Sequence, residues 1–79
     1  MINMSNPKEI LNEFKWSSSY SLDKVEIWYI HRGAPNDTKI ISAINVLKFE
    51  KSFMKTKSSM IPYHRIFKII YDKKVVFKR

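Results

Sequence analysis

With 79 residues, 44% of them hydrophobic and 14% aromatic, the chain carries enough apolar material to fold as one small domain, which argues against intrinsic disorder. The absence of cysteine excludes disulfides and thiolate zinc sites, and two histidines among scattered carboxylates predict neither a metal nor a cofactor. The formal net charge of +8 is unevenly placed: residues 1–47 hold five basic and five acidic residues, whereas residues 48–79 hold ten basic residues against Glu50 and Asp72. A field of one sign on so small a body favours a polyanionic partner, nucleic acid first, over the plainer role of keeping a β-rich protein soluble. No apolar run approaches the ~18 residues of a membrane span and no signal-peptide pattern opens the chain, so a cytoplasmic protein without a membrane partner is expected.

In chain order, Asn6-Pro7-Lys8-Glu9 reads as a helix start, with Asn6 as cap, Pro7 in the first turn and Glu9 at the capping-box position. Ile10, Leu11 and Phe14 then share one helical face, and the helix is expected to end at Lys15 or Trp16. Residues 17–21 are polar and short-sided, hence a loop. Lys24 to Arg32 is rich in β-branched and aromatic residues and reads as a strand. Alternation places Val25, Ile27, Tyr29 and His31 on one face and Glu26, Trp28, Ile30 and Arg32 on the other. Both faces are partly apolar, so this strand is expected at the centre of a sheet, with Trp28 and Tyr29 as core aromatics. Gly33 to Asp37 forms a turn in which Gly33 is free to take positive φ.

Lys39 to Ile44 fits either a strand or a helical turn. Val46 to Glu50 and Ser52 to Thr56 read as short strands, with Lys57-Ser58-Ser59 turning back towards Met60 and Ile61. Pro62 cannot donate to a ladder and marks an edge or a bend. His64 to Tyr71 and Val75 to Lys78 form a last hairpin around Asp72-Lys73-Lys74. The expected fold class is α+β: an N-terminal helix packed on a strongly bent antiparallel sheet, or small open β-barrel, of five to six short strands.

Both histidines of the chain are followed directly by arginine, as His31-Arg32 and His64-Arg65, and each pair falls at a strand end where binding groups collect. Arginine's planar fork holds two phosphate oxygens with a charge that never titrates away, and histidine adds a directed donor. Adjacent residues of a strand face opposite ways, so both members of a pair reach one pocket only if the backbone twists at Pro62; one member of each is expected to be structural. Beside their reading as core aromatics, Tyr29 and Trp28 could also stack on a base, and Tyr63 is open between core packing and stacking. Lys48, Lys51, Lys55, Lys57 and Lys68 are expected to track a nucleic-acid backbone without reading sequence.

The His-Arg-Gly at 31–33 and the Ile-Pro-Tyr-His-Arg-Ile block at 61–66 resemble a family of small, mostly archaeal proteins with an RNA cyclic-group-end recognition domain. The resemblance runs from the N-terminal helix through Trp16 and Pro35 along nearly the whole chain. Where that family often has Asp-Pro after the tryptophan, this chain has Ser17-Ser18, so no acid is assigned to that loop. The resemblance implies an RNA-binding domain over residues 1–79 that recognises processed RNA termini, with 2′,3′-cyclic phosphate ends as the expected ligand and RNA-processing proteins as further partners. The residues expected to bind the end are His31, Arg32, Gly33, Tyr63, His64 and Arg65, with no catalytic residue, and His64 expected to help discriminate between ends. Two rivals stand beside this reading. One is a cyclic phosphodiesterase or ribonuclease-like enzyme using His31 and His64 as acid and base. The other is a general nucleic-acid-binding or ribonucleoprotein-assembly subunit whose His-Arg pairs are scaffold.

Overall fold

A computed structural model describes residues 6–79. Helix α1 spans Pro7–Trp16, with the Asn6 side chain accepting a 2.9 Å hydrogen bond from the Glu9 amide as anticipated for the cap. Pro7, Ile10, Leu11 and Phe14 form its buried stripe, whereas Trp16 at its end is 80% exposed. Phe14 stacks on Tyr71 and meets Tyr20 edge-on, which ties the helix to the sheet.

Seven strands follow, all paired antiparallel: β1 Val25–Ile30, β2 Thr38–Ser42, β3 Val46–Phe49, β4 Phe53–Thr56, β5 Met60–Pro62, β6 Ile66–Tyr71 and β7 Lys74–Lys78. They make one sheet in the order β2-β1-β6-β7 and a second in the order β3-β4-β5. The α+β expectation holds, and the sheets stay open rather than closing into a barrel. The count exceeds the expected five to six because Lys39 to Ile44 resolves into β2 plus a 3-10 turn and Met60–Pro62 pairs with β4 as a strand of its own.

Two 3-10 turns carry the chain between the sheets: Ala43–Asn45 from β2 to β3, and Tyr63–Arg65 from β5 to β6. The second replaces the strand start expected at His64. Proline explains where it falls: Pro62, opposite Phe53, ends β5, and the chain bends immediately after it. A register shift in the β1–β6 pairing then sets Trp28 opposite Lys68 but Tyr29 opposite Ile66. Such a bulge bends a strand and re-aims its neighbours.

The core lies between the two sheets and under α1. Val25, Ile27 and Tyr29 of β1 point into it, with Met54, Ile61, Tyr63, Ile66 and Ile69 from the strands and turn around them. Burying one such side chain is worth about 1.5–3 kcal/mol, so the core is small but sufficient. β1 is central, as its two apolar faces suggested, but the placing of Trp28 in the core is corrected. Trp28 lies on the outer face, half-buried, with its indole N–H donating to Glu26 Oε1 at 3.2 Å and Lys68 Nζ 4.2 Å over the ring. An indole covered by a lysine and tied to a carboxylate is satisfied at the surface, so burial is not required of it.

Candidate functional site

The inward face of β1 continues past its last strand residue to His31, whose backbone amide donates to Asp37 O at 2.8 Å. That bond and the edge-on contact with Tyr29, 6.4 Å between ring centroids, hold the imidazole at the mouth between the sheets. Lys39 and Ile41 enter the same mouth from β2, because Tyr29 stands opposite Lys39 and Ile27 opposite Ile41. The β4–β5 hairpin closes the far side with Thr56, Ser58 and Ser59. Thr56 is the buried post of that hairpin: its hydroxyl donates to Ser59 O and accepts from the Ser59 amide, each at 3.1 Å. The Tyr63–Arg65 turn supplies Arg65. Together these residues line a cleft of about 350 Å³.

The cleft contains no carboxylate, and among the described residues His31, Lys39 and Arg65 make no ion pair. Its lining is mainly polar and rich in donors. Burial raises the Tyr29 phenol above its ordinary pKa of 10.0, so it stays protonated, and its hydroxyl has no partner among the described residues. A cavity of this size with a guanidinium, an ammonium, an imidazole and four hydroxyls suits a small, oxygen-rich anion.

The Tyr63–Arg65 turn has a second side. His64 lines a more open pocket of about 400 Å³ with Lys8, Lys51, Ser52, Tyr63 and Arg79. The turn is pinned from behind by Arg79, whose Nε donates to Ile66 O at 2.9 Å and Nη2 to Tyr63 O at 3.3 Å. Tyr63 is only 8% exposed; its hydroxyl donates to Glu50 O at 2.7 Å and its amide to Ser52 O at 3.3 Å. It therefore packs as a core residue that fixes the turn.

Of the residues singled out in the sequence, His31 and Arg65 meet in one cleft, and His64 and Tyr63 line the other pocket. Arg32 is exposed in the turn after β1 and lines neither. Gly33 takes φ 95°, and its amide donates to Asp37 Oδ1 at 3.2 Å, so it serves the turn and its N–H is already engaged. The lysines are dispersed. Lys51 lines the His64 pocket, while Lys48 lies 3.5 Å from Glu50 and faces Lys55 across the β3–β4 pair. Lys68 covers Trp28 on the outer sheet face. Sequence reasoning weighed Tyr29 only as a core aromatic or a base stacker and passed over Lys39, Ser58, Ser59 and Arg79. Strand alternation did place Tyr29 beside His31, but the others arrive through pairing that one strand cannot reveal.

Proteins of three archaea are similar to this chain. A UPF0248 protein of Methanococcus maripaludis is 35% identical over 91% of this chain and 96% of its own length. One from Methanocaldococcus jannaschii is 36% identical over 78% of this chain and 76% of its own, and one from Archaeoglobus fulgidus 31% identical over 87% and 99%. No solved structure matches. The model of the MJ1316 RNA cyclic group end recognition domain matches residues 4–79, and with relatives of this identity and coverage the chain belongs to that family.

Proposed function

We propose that the protein binds processed RNA termini that end in a 2′,3′-cyclic phosphate and leaves the ring closed. The observation that carries this reading is the meeting of His31 and Arg65, one member from each His-Arg pair, in a carboxylate-free cleft with Lys39 and the Ser58, Ser59 and Tyr29 hydroxyls. A cyclic phosphate has one negative charge and two free oxygens, and a guanidinium fork matches two oxygens at once. Closing the ring also removes the 2′- and 3′-hydroxyl donors, leaving an end that only accepts hydrogen bonds. A lining rich in donors, with the Arg65 guanidinium and Lys39 ammonium able only to donate, fits such an end better than one that still carries hydroxyls.

A terminal phosphomonoester carries about −1.5 to −2 charge at neutral pH, so attraction by charge alone favours the monoester. A reader of cyclic ends must reverse that order by shape and by the acceptor-only character of the closed ring, because Lys39 and Arg65 would by charge alone serve a monoester equally well. What supports binding over ring opening is the separation of the histidines. General acid–base hydrolysis places a proton donor and an acceptor on opposite sides of one phosphorus, and His31 and His64 line different pockets. The pocket of Lys8, Lys51, His64 and Arg79 beyond the turn offers the RNA strand a path for its phosphates.

The test is a competition titration of three oligonucleotides that differ only at the 3′ end, followed by analysis of the recovered RNA. The cyclic end is expected to bind most tightly and to be recovered intact. Equal affinity for the three ends, or tighter binding of the monoester, refutes recognition of the cyclic group. Recovery of an opened ring refutes the non-catalytic role.

A further inference from the structure

The His31–Arg65 cleft shares walls with a neighbouring hollow of different chemistry. Ile41, Thr56 and Ser58 line both, and the second hollow, of about 310 Å³, adds Ile44, Asn45, Leu47 and Lys57. Ile44 and Leu47 are large aliphatic residues left 58% and 62% exposed, although each stands where the fold makes no demand for an apolar side chain. Ile44 sits in the 3-10 turn between the sheets and Leu47 on β3, whose hydrogen-bonded neighbour β4 lies on one side only. The Asn45 side chain has no hydrogen-bond partner among the described residues.

We propose that this hollow holds the base of the terminal nucleotide, an assignment that rests on the cyclic-phosphate reading of the adjoining cleft. A nucleotide joins an anionic oxygen cluster to a flat apolar ring with a polar edge, and the two hollows present the matching pair side by side. Ile44 and Leu47 offer apolar contact to the face of the ring. Asn45 carries both a donor and an acceptor, the combination that pairs in two-pronged fashion with adenine. Lys57 also lines this hollow, which among the described residues contains no acid to repel the phosphate beside it. The occupant is thus the 3′-terminal base, with adenine favoured, and the two hollows together read one nucleotide.

The experiment uses two cyclic-phosphate oligonucleotides, one ending in adenosine and one in a stable abasic ribose analogue, titrated against the parent protein, the double variant Ile44→Ser/Leu47→Ser, and Arg65→Lys. Both serine substitutions fall on exposed positions, so the fold is expected to persist, with circular dichroism as the control. On the parent, loss of the base is expected to weaken binding about five- to tenfold, the lower end of what base stacking on aromatic side chains contributes. The double variant should weaken the adenosine end by the same factor and leave the abasic end unchanged. Arg65→Lys should weaken both ends alike. If the parent binds both ends equally, or the double variant weakens both equally while Arg65→Lys still matters, the hollow is not a base site and only the phosphate reading survives. If Arg65→Lys changes neither, the phosphate reading falls and the base site falls with it.

Discussion

The two His-Arg pairs are the same dipeptide put to opposite uses. In the first, histidine enters the cleft and Arg32 faces solvent; in the second, Arg65 enters the cleft and His64 turns away into another pocket. The first pair follows a strand whose inward face sets His31 in line with Tyr29, while Arg32 falls in the exposed turn beyond it. The second pair sits in a 3-10 turn between two sheets, and the turn hands its two side chains to the cavities on either side. A repeated motif therefore contributes one residue from each copy to a single cleft rather than shaping two like pockets.

The sharpest way to break this comparison is to exchange arginine for lysine in each pair. Arg65→Lys keeps the charge but loses the two-pronged grip; a hydrogen bond to a charged group is worth about 1.5–3 kcal/mol, so affinity for the cyclic end should fall roughly ten- to a hundredfold. Arg32→Lys should leave it within about twofold, as expected of an exposed side chain outside both pockets. Equal losses from the two changes, read by fluorescence anisotropy, would mean that the pairs act alike and that the asymmetry has no functional weight.

The histidines offer a smaller contrast. His64 is expected from the sequence to help discriminate between ends, but it lines the pocket across the turn, and on the proposed reading His31 in the cleft takes that role. His31→Ala should narrow the gap between cyclic and 3′-phosphate ends several-fold, in keeping with the ~0.5–1.5 kcal/mol of one hydrogen bond. His64→Ala should lower affinity for all ends together and preserve the gap. A gap that closes with His64→Ala and survives His31→Ala would reverse the assignment.

Salt dependence separates the two sides further. Binding should weaken as salt rises, and on single-stranded RNA the slope should drop by about 0.7 for each phosphate that the protein no longer neutralises. Lys51→Ala, in the His64 pocket, should reduce the slope by about that amount, whereas Lys68→Ala, on the far sheet face over Trp28, should leave it unchanged. An unchanged slope in the Lys51 variant would remove the strand path from the His64 side.

The smallest effect concerns the post between the two pockets. Tyr63→Phe removes the hydrogen bond to Glu50 O and should cost about 0.5–1.5 kcal/mol of stability, measured by urea unfolding. Burial raises the Tyr63 phenol above its ordinary pKa of 10.0, and the charge of Glu50 raises it further; burial does the same for Tyr29. The folded state thus holds these protons more tightly than the unfolded state. Their contribution is fully present below about pH 10 and is lost as pH rises through the folded values. Alkaline destabilisation should be shallower in Tyr63→Phe; an identical alkaline slope would show that this phenol is not protected by the fold.

How much of this was legible before folding varied residue by residue. The cap at Asn6, the buried stripe of α1, the inward run Val25-Ile27-Tyr29-His31 and the positive φ of Gly33 all follow from local spacing, and all are present. Trp28 misled because an aromatic in a central strand fits a core or a covered outer face equally well. Only the neighbour Lys68, from a strand far along the chain, decides between them. Tyr63 stood open between stacking and packing until the Glu50 carbonyl, thirteen residues away, claimed its hydroxyl.

By itself, then, the sequence determined the helix, the central strand, the bend at Pro62 and the stock of cationic and hydrogen-bonding side chains. Each of these depends on side-chain chemistry and on dihedral preferences within a few neighbouring residues. The tertiary structure alone decided which groups share a cavity. The site forms where the end of β1 meets the β4–β5 hairpin and the 3-10 turn before β6, three segments brought together by strand register across two sheets. A shift of one residue in the β1–β2 pairing would set Lys39 on the opposite face from Tyr29 and His31, because side chains alternate along a strand, and no local signal in either strand records which register is adopted.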